Sequence, residues 1–165
     1  MKRLFTLAAA LTAFLLICAN SFAQTSVSPY KATYSFDFKI GKPAQATRIL
    51  ELWKDWDDNQ LDRHDYFADT VSMIFSDGTV MKGKKENLEA SKKYRGGFTK
   101  VVSTIHACIP LTSNDRKEDA VAIWGKEVNT MADGKEETRD IHEVWWFNKD
   151  GKVSSMRQWT AKFGM

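Results

Sequence analysis

Glu143 lies between Ile141 and Trp145 in a stretch that alternates with period two, so a carboxylate shares one side of a strand with an aliphatic and an indole side chain. In a dry pocket such a group has its pKa raised, which keeps it protonated as a donor or tunes it as a base near neutral pH. Paired with a neighbouring cation such as Arg139, it is an ordinary structural ion pair, and the residues leave both readings open. His106 is the histidine offered as an acid/base partner, on a stretch whose alternation groups it with Val102, Thr104 and Cys108. His142-Glu143 makes no zinc motif, because the residue four places after His142 is Trp146 and alternation sends His142 and Glu143 to opposite faces. No metal and no cofactor are expected. His64 reads as solvated, and Cys108, in an apolar run, as a buried and inert thiol.

The elements that must position these residues are legible from periodicity. Residues 30–40 alternate strictly, with Tyr30, Ala32, Tyr34, Phe36, Phe38 and Ile40 on one side, which predicts a half-buried strand. Pro43 suits the first turn of a helix, and Ala46, Ile49, Leu50 and Trp53 follow at helical spacing until Asp57-Asp58-Asn59 interrupts them. A short second helix is predicted over 61–67, an extended run over 71–75 and a turn at Asp77-Gly78. A third helix over 84–95 carries Leu88, Ser91 and Tyr94 as a narrow buried stripe and stops at Gly96-Gly97. Four strands follow as an antiparallel meander over 98–111, 119–131, 136–148 and 153–163, with Asp133-Gly134 and Asp150-Gly151 in the later turns. Helices early and strands late predict an α+β fold, a curved antiparallel sheet packed against three N-terminal helices. On the third meander strand, Ile141, Glu143, Trp145 and Phe147 face one way and His142, Val144 and Trp146 the other, so both faces need cover.

Lys2 and Arg3, the apolar residues 4–17, and small residues at Ser21 and Ala23 read as a secretory signal peptide over 1–23, cleaved before Gln24. The apolar run falls short of the roughly 18 residues a spanning helix needs. Bulky Ile17 argues against lipidation at Cys18. The expected product is exported, periplasmic or extracellular, with no membrane association after cleavage. Its 142 residues carry a formal charge of +1 against +3 for the whole chain, so nucleic acid is not an expected partner. The basic cluster of Lys82, Lys84, Lys85, Lys92, Lys93 and Arg95 reads as a solvated helix face. With only Cys108 left, no internal disulfide can form. Residues 24–42 read as a leader with an added strand, and 43–165 as one domain.

Tyr66-Phe67-Ala68-Asp69 followed by Val71, Met73 and Phe75, then Asp77-Gly78 and Gly83, then Phe147 to Val153 with Met156-Arg157, occur in an order that resembles the nuclear transport factor 2-like superfamily. The SnoaL-like and ketosteroid-isomerase-like branches are the most similar. The resemblance implies a cone-shaped half-barrel with a pocket between the concave sheet face and the helices, often paired through the convex face. It places Glu143 where ketosteroid isomerases carry the Asp that donates to the substrate oxyanion. It also puts Phe75 at or next to their general base and Trp53 near their Tyr donor, which argues against steroid isomerisation here. Lyase members use a pocket histidine, the role open to His106. The reading that follows is a binding domain for an apolar small molecule, with Trp53, Phe75, Trp145, Met156 and Gln158 as binding residues. The alternatives are a lyase or isomerase acting through Glu143 and His106, and a structural dimeric module. A homodimer through the convex face is expected, built on Val144, Trp146 and Trp159.

Overall fold

The alternating second half of the chain forms the predicted meander of β4 (Lys100–Ser113), β5 (Glu118–Thr130), β6 (Glu136–Phe147) and β7 (Val153–Lys162). The computed structural model describes residues 29–162, which fall into two units divided between Thr33 and Tyr34. In the first, residues 29–33 carry neither helix nor strand. In the second, β1 (Phe38–Ile40), β2 (Phe67–Ile74) and β3 (Val80–Lys82) complete a seven-stranded sheet of order β1-β4-β5-β6-β7-β2-β3. Only β2 and β7 pair in parallel. The sheet is curved and not closed into a barrel. Helices α1 (Pro43–Asp57) and α2 (Lys84–Arg95) belong to the same unit.

Curvature has a local cause on β4. The β4–β5 register slips between Ile105 and Ala107, leaving His106 as the extra residue of a bulge. Gly125 lies opposite, where a Cβ would stand 2.3 Å from the Thr104 carbonyl oxygen, so only glycine lets the bulged backbone come this close. Before the bulge Val101 is buried and Ser103 meets α1, whereas after it Cys108 does, its thiol 3.8 Å from the Ala46 carbonyl. The face-inward parity has switched.

The core lies between the concave face and α1, from Ile49, Leu52 and Trp53 on the helix to Val71, Val121, Ile123, Ile141 and Trp145 on the strands. Leu50, grouped with the inward stripe by spacing, is exposed, and Leu52 takes its place. Arg95 departs from the solvated face predicted for its cluster. It is buried, and its guanidinium donates to the carbonyls of Trp56, Asp57 and Phe98 at 2.7–3.0 Å, capping the C-terminal end of α1.

Two predicted elements are corrected. Residues 61–66 turn rather than coil, so two helices stand among the described residues instead of three. The cause is the buried Asp55 carboxylate, which accepts from Tyr66 Oη at 2.6 Å and Arg63 Nη1 at 3.1 Å and lies 2.7 Å from His64 Nδ1. Helical spacing cannot bring all three side chains to one point, and Asn59, with φ of 57°, has already turned the chain. His64 is thus hydrogen-bonded as well as half-exposed. The predicted strand over 30–40 shrinks to β1, because its partner β4 ends at Ser113. Beyond that point the chain is tied to the β4–β5 turn by side chains, with Asn114 donating to Asp37 and Ser35 to Asp115. Phe36 and Ile40 stay exposed.

Burial alone raises the Asp55 pKa, but hydrogen bonds from Tyr66 and His64 and the charges of His64 and Arg63 outweigh it and hold the carboxyl below its ordinary value. Its stabilising effect is therefore present above the unfolded pKa of about 3.9 and lost as pH falls through the lower folded value. Asp55→Ala is expected to cost about 3 kcal/mol at pH 7, with the gap from wild type narrowing toward pH 3. Urea midpoints at both pH values check this; matching midpoints at pH 7 would show that the cluster is ornamental.

Candidate functional site

Period-two alternation along β6 aims Arg139, Ile141, Glu143 and Trp145 into the concave face, while α1 crosses it with Trp53 and Trp56 one helical turn apart. Between sheet and helices lies a cavity of about 430 Å³. Trp53, Phe75, Trp145, Met156 and Gln158, the predicted binding residues, all line it together with Glu143. The stripe Leu88, Ser91 and Tyr94 of α2 lines it too, with Leu88 also packed against the core. Exposed Ser76, Asp77 and Thr79 of the β2–β3 turn mark the mouth.

Glu143 is 6 % exposed. Its Oε2 accepts from Trp53 Nε1 at 2.8 Å and Trp145 Nε1 at 3.0 Å, and its Oε1 accepts from Gln158 Nε2 at 2.8 Å. All three donors are neutral. Arg139, the cation weighed as its partner, goes elsewhere: it pairs with Glu127 at 3.2 Å and donates to Tyr94 Oη at 2.9 Å. Desolvation raises the Glu143 pKa, and the donors from Gln158, Trp53 and Trp145 offset only part of that rise.

Glu127 was missed in the sequence. It is buried, accepts from Trp56 Nε1 and Asn129 Nδ2 at 2.7 Å each, and lines the same cavity. A signal was available, since Glu127 continues the inward parity of Val121, Ile123 and Gly125 on β5. Trp56 was equally within reach, one turn beyond Trp53.

His106 is not brought to Glu143. It is exposed, sits in the β4 bulge and does not line the cavity, so hydrogen-bond reach between the two is absent. Val102 and Thr104, which share its parity, are exposed with it, and Cys108, beyond the bulge, is the member of the predicted group that has moved to the other face. Cys108 is half-buried, and burial pushes its thiol pKa up, which disfavours the thiolate. Among the described residues no group of three or more His, Cys, Asp or Glu is placed to hold a metal ion.

The raised folded pKa of Glu143 has a definite sign in stability. Stability is full below the unfolded value of about 4.3 and is lost as pH rises through the folded value. Glu143→Gln keeps one oxygen for both indoles and, once the Gln158 amide turns over, donates to it, so the variant is expected to fold and to lose this pH dependence. Urea midpoints of both proteins from pH 4 to pH 8 check it; parallel profiles would show the carboxyl to be effectively solvated.

No protein-family model and no curated protein matches the chain. Solved structures do match by fold. An NTF2-like protein of unknown function from Cytophaga hutchinsonii is 18 % identical, with a TM-score of 0.52 over 71 % of this chain and 99 % of its own. A putative SnoaL-like polyketide cyclase from Shewanella denitrificans is 10 % identical, with a TM-score of 0.59 over 73 % and 92 %. An LEH-like epoxide hydrolase from M. tuberculosis is 12 % identical, with a TM-score of 0.57 over 72 % and 84 %. With its open curved sheet, its two helices preceding the meander and these neighbours, the chain has the nuclear transport factor 2-like fold, the fold its sequence resemblance implies.

Proposed function

We propose that this domain binds a small molecule with an apolar body in the cavity between α1, α2 and the concave sheet face. The observation that carries the reading is the cavity itself: about 430 Å³, walled by Trp53, Phe75, Trp145 and Met156, with a buried carboxyl that has no cationic partner, Glu143, among them. Ligand sites have this size and this mix of apolar wall with few polar groups, whereas a purely structural module would fill the space with its own side chains. Fold alone does not select the ligand, since the neighbours of this fold include both a putative SnoaL-like polyketide cyclase and an LEH-like epoxide hydrolase. Export belongs to the proposal and is supported by residues 1–23, which lie outside the described residues.

Small molecules released by denaturing the purified protein are expected to include an apolar compound on mass spectrometry. Ser91→Trp, which fills the cavity from α2, is expected to lower its recovery about tenfold. Equal recovery from both proteins would place the compound outside the cavity.

Pairing of two copies through the convex face is proposed as well. Trp124 and Trp159 are 37 % and 44 % exposed there, flanking His142 at ring separations of 5.7 and 5.6 Å. Trp146, the anchor expected from sequence, is half-buried with Tyr34 edge-on at 6.1 Å, so Trp159 is the better position to perturb. Trp159→Glu is expected to give monomers in sedimentation where the wild type gives dimers. A wild type that stays monomeric at high micromolar concentration excludes the pairing.

A further inference from the structure

We propose that the ligand is an amine, its ammonium group held by the Glu143 carboxylate and its apolar body by the walls around Phe75 and Met156. The inference rests on the reading of the cavity as a binding site and names the chemistry that site selects.

Three observations converge on it. First, every hydrogen bond that Glu143 receives comes from a neutral N–H, two from indoles and one from an amide, so the ionised form is solvated without being neutralised. Secondly, the cavity holds no spare cation. The charged or titratable groups lining it besides Glu143 are Glu127 on β5, Arg139 on β6, Tyr94 on α2 and Asp77 at the mouth. Arg139 pairs with Glu127, while Tyr94 accepts from Arg139, so the charge on Glu143 is left over inside the cavity and exposed Asp77 adds a second negative charge at its mouth. Thirdly, the cavity has acceptors to spare. Glu143 Oε2 takes both indoles, whereas Oε1 takes only Gln158 and keeps a lone-pair site. Asn87, 1 % exposed and lining the same cavity, donates through Nδ2 to the Gly83 carbonyl, while its Oδ1 has no partner.

A ligand that brings N–H donors and a positive charge satisfies these acceptors, and the buried Arg139 Nε, which also lacks a partner, is left for an acceptor atom elsewhere on the same molecule; a ligand whose only polar group is a carboxylate meets the uncompensated charge of Glu143. Aromatic walls suit a cation as well, because ring faces are negative. The opposite state of the same residues has Glu143 protonated on Oε1, still accepting from Gln158 Nε2 while its O–H points into the cavity, and it would favour a carbonyl or an oxyanion. The two states therefore predict opposite ligand charge.

Three probes of one shape separate them: 1-adamantylmethylammonium, 1-adamantanemethanol and 1-adamantanecarboxylate, titrated into the full-length protein by calorimetry and by fluorescence of the cavity tryptophans. At pH 8 the ammonium is expected to bind about tenfold tighter than the alcohol, and the alcohol tighter than the carboxylate. Ammonium affinity should rise as pH climbs through the titration of Glu143, with the alcohol flat across the same range. In Glu143→Gln the ratio of ammonium to alcohol affinity should fall to near one. The wild-type pH series stands even if that variant folds poorly. Equal binding of the three probes, or preference for the carboxylate, overturns the amine while leaving a binding cavity in place. Absence of binding by all three overturns the cavity reading and the amine together.

Discussion

A carboxylate taken out of water without a counterion loses several kcal/mol of hydration, and at Glu143 that loss is offset only by N–H donors set at fixed points around it. Those donors come from three elements: Trp53 from α1, Trp145 from β6 and Gln158 from β7. The helix and the two strands are thereby held in one relative position. The indoles serve twice, since each gives its N–H to the carboxylate and its ring to the core or cavity wall. Shifting α1 along the sheet would strand a buried anion, so the space between helix and sheet cannot close by simple sliding.

The sheet must bend to leave that space, and its bend depends on backbone detail far from Glu143 in sequence. A single extra residue, His106, and the absence of a side chain at Gly125 let β4 press against β5 and turn. The tryptophans sort themselves by the resulting faces. Trp53, Trp56 and Trp145 line the cavity, while Trp124, Trp146 and Trp159 project from the convex side. Arg95 then links the end of α2 to the end of α1 through the Trp56 and Asp57 carbonyls, fixing the second wall to the first.

Two carboxylates on adjacent strands show how environment divides identical chemistry. Glu127 has Arg139 directly across the β5–β6 ladder and is neutralised by it. Glu143, four residues farther along β6 than Arg139, faces Ile123 on β5 and has no cation in contact. One inward step on β6, Ile141, separates a closed ion pair from an open acid. The first braces the cavity and the second is free to meet a ligand.

Period and turn chemistry are local properties, and wherever they rule, the sequence alone determined the outcome. The four meander strands, the Pro43 helix, the Gly83-led helix, the Asp-Gly hairpins and the sharing of one face by Ile141, Glu143 and Trp145 all follow from spacing. What spacing could not carry was decided by partners distant in the chain. Asp55 gathered Arg63, His64 and Tyr66 into a turn where helical periodicity had pointed to a helix. The end of β4 at Ser113 cut an eleven-residue alternation to the three residues of β1. A bulge at His106 put Cys108 on the opposite face from Val102 and Thr104, because one inserted residue inverts a period of two and nothing in the residues themselves announces it. The choice of Glu127 by Arg139 was of the same kind. A salt bridge goes to the carboxylate that lies across the ladder, and which residue that is depends on register between strands, a quantity that exists only once the sheet has formed.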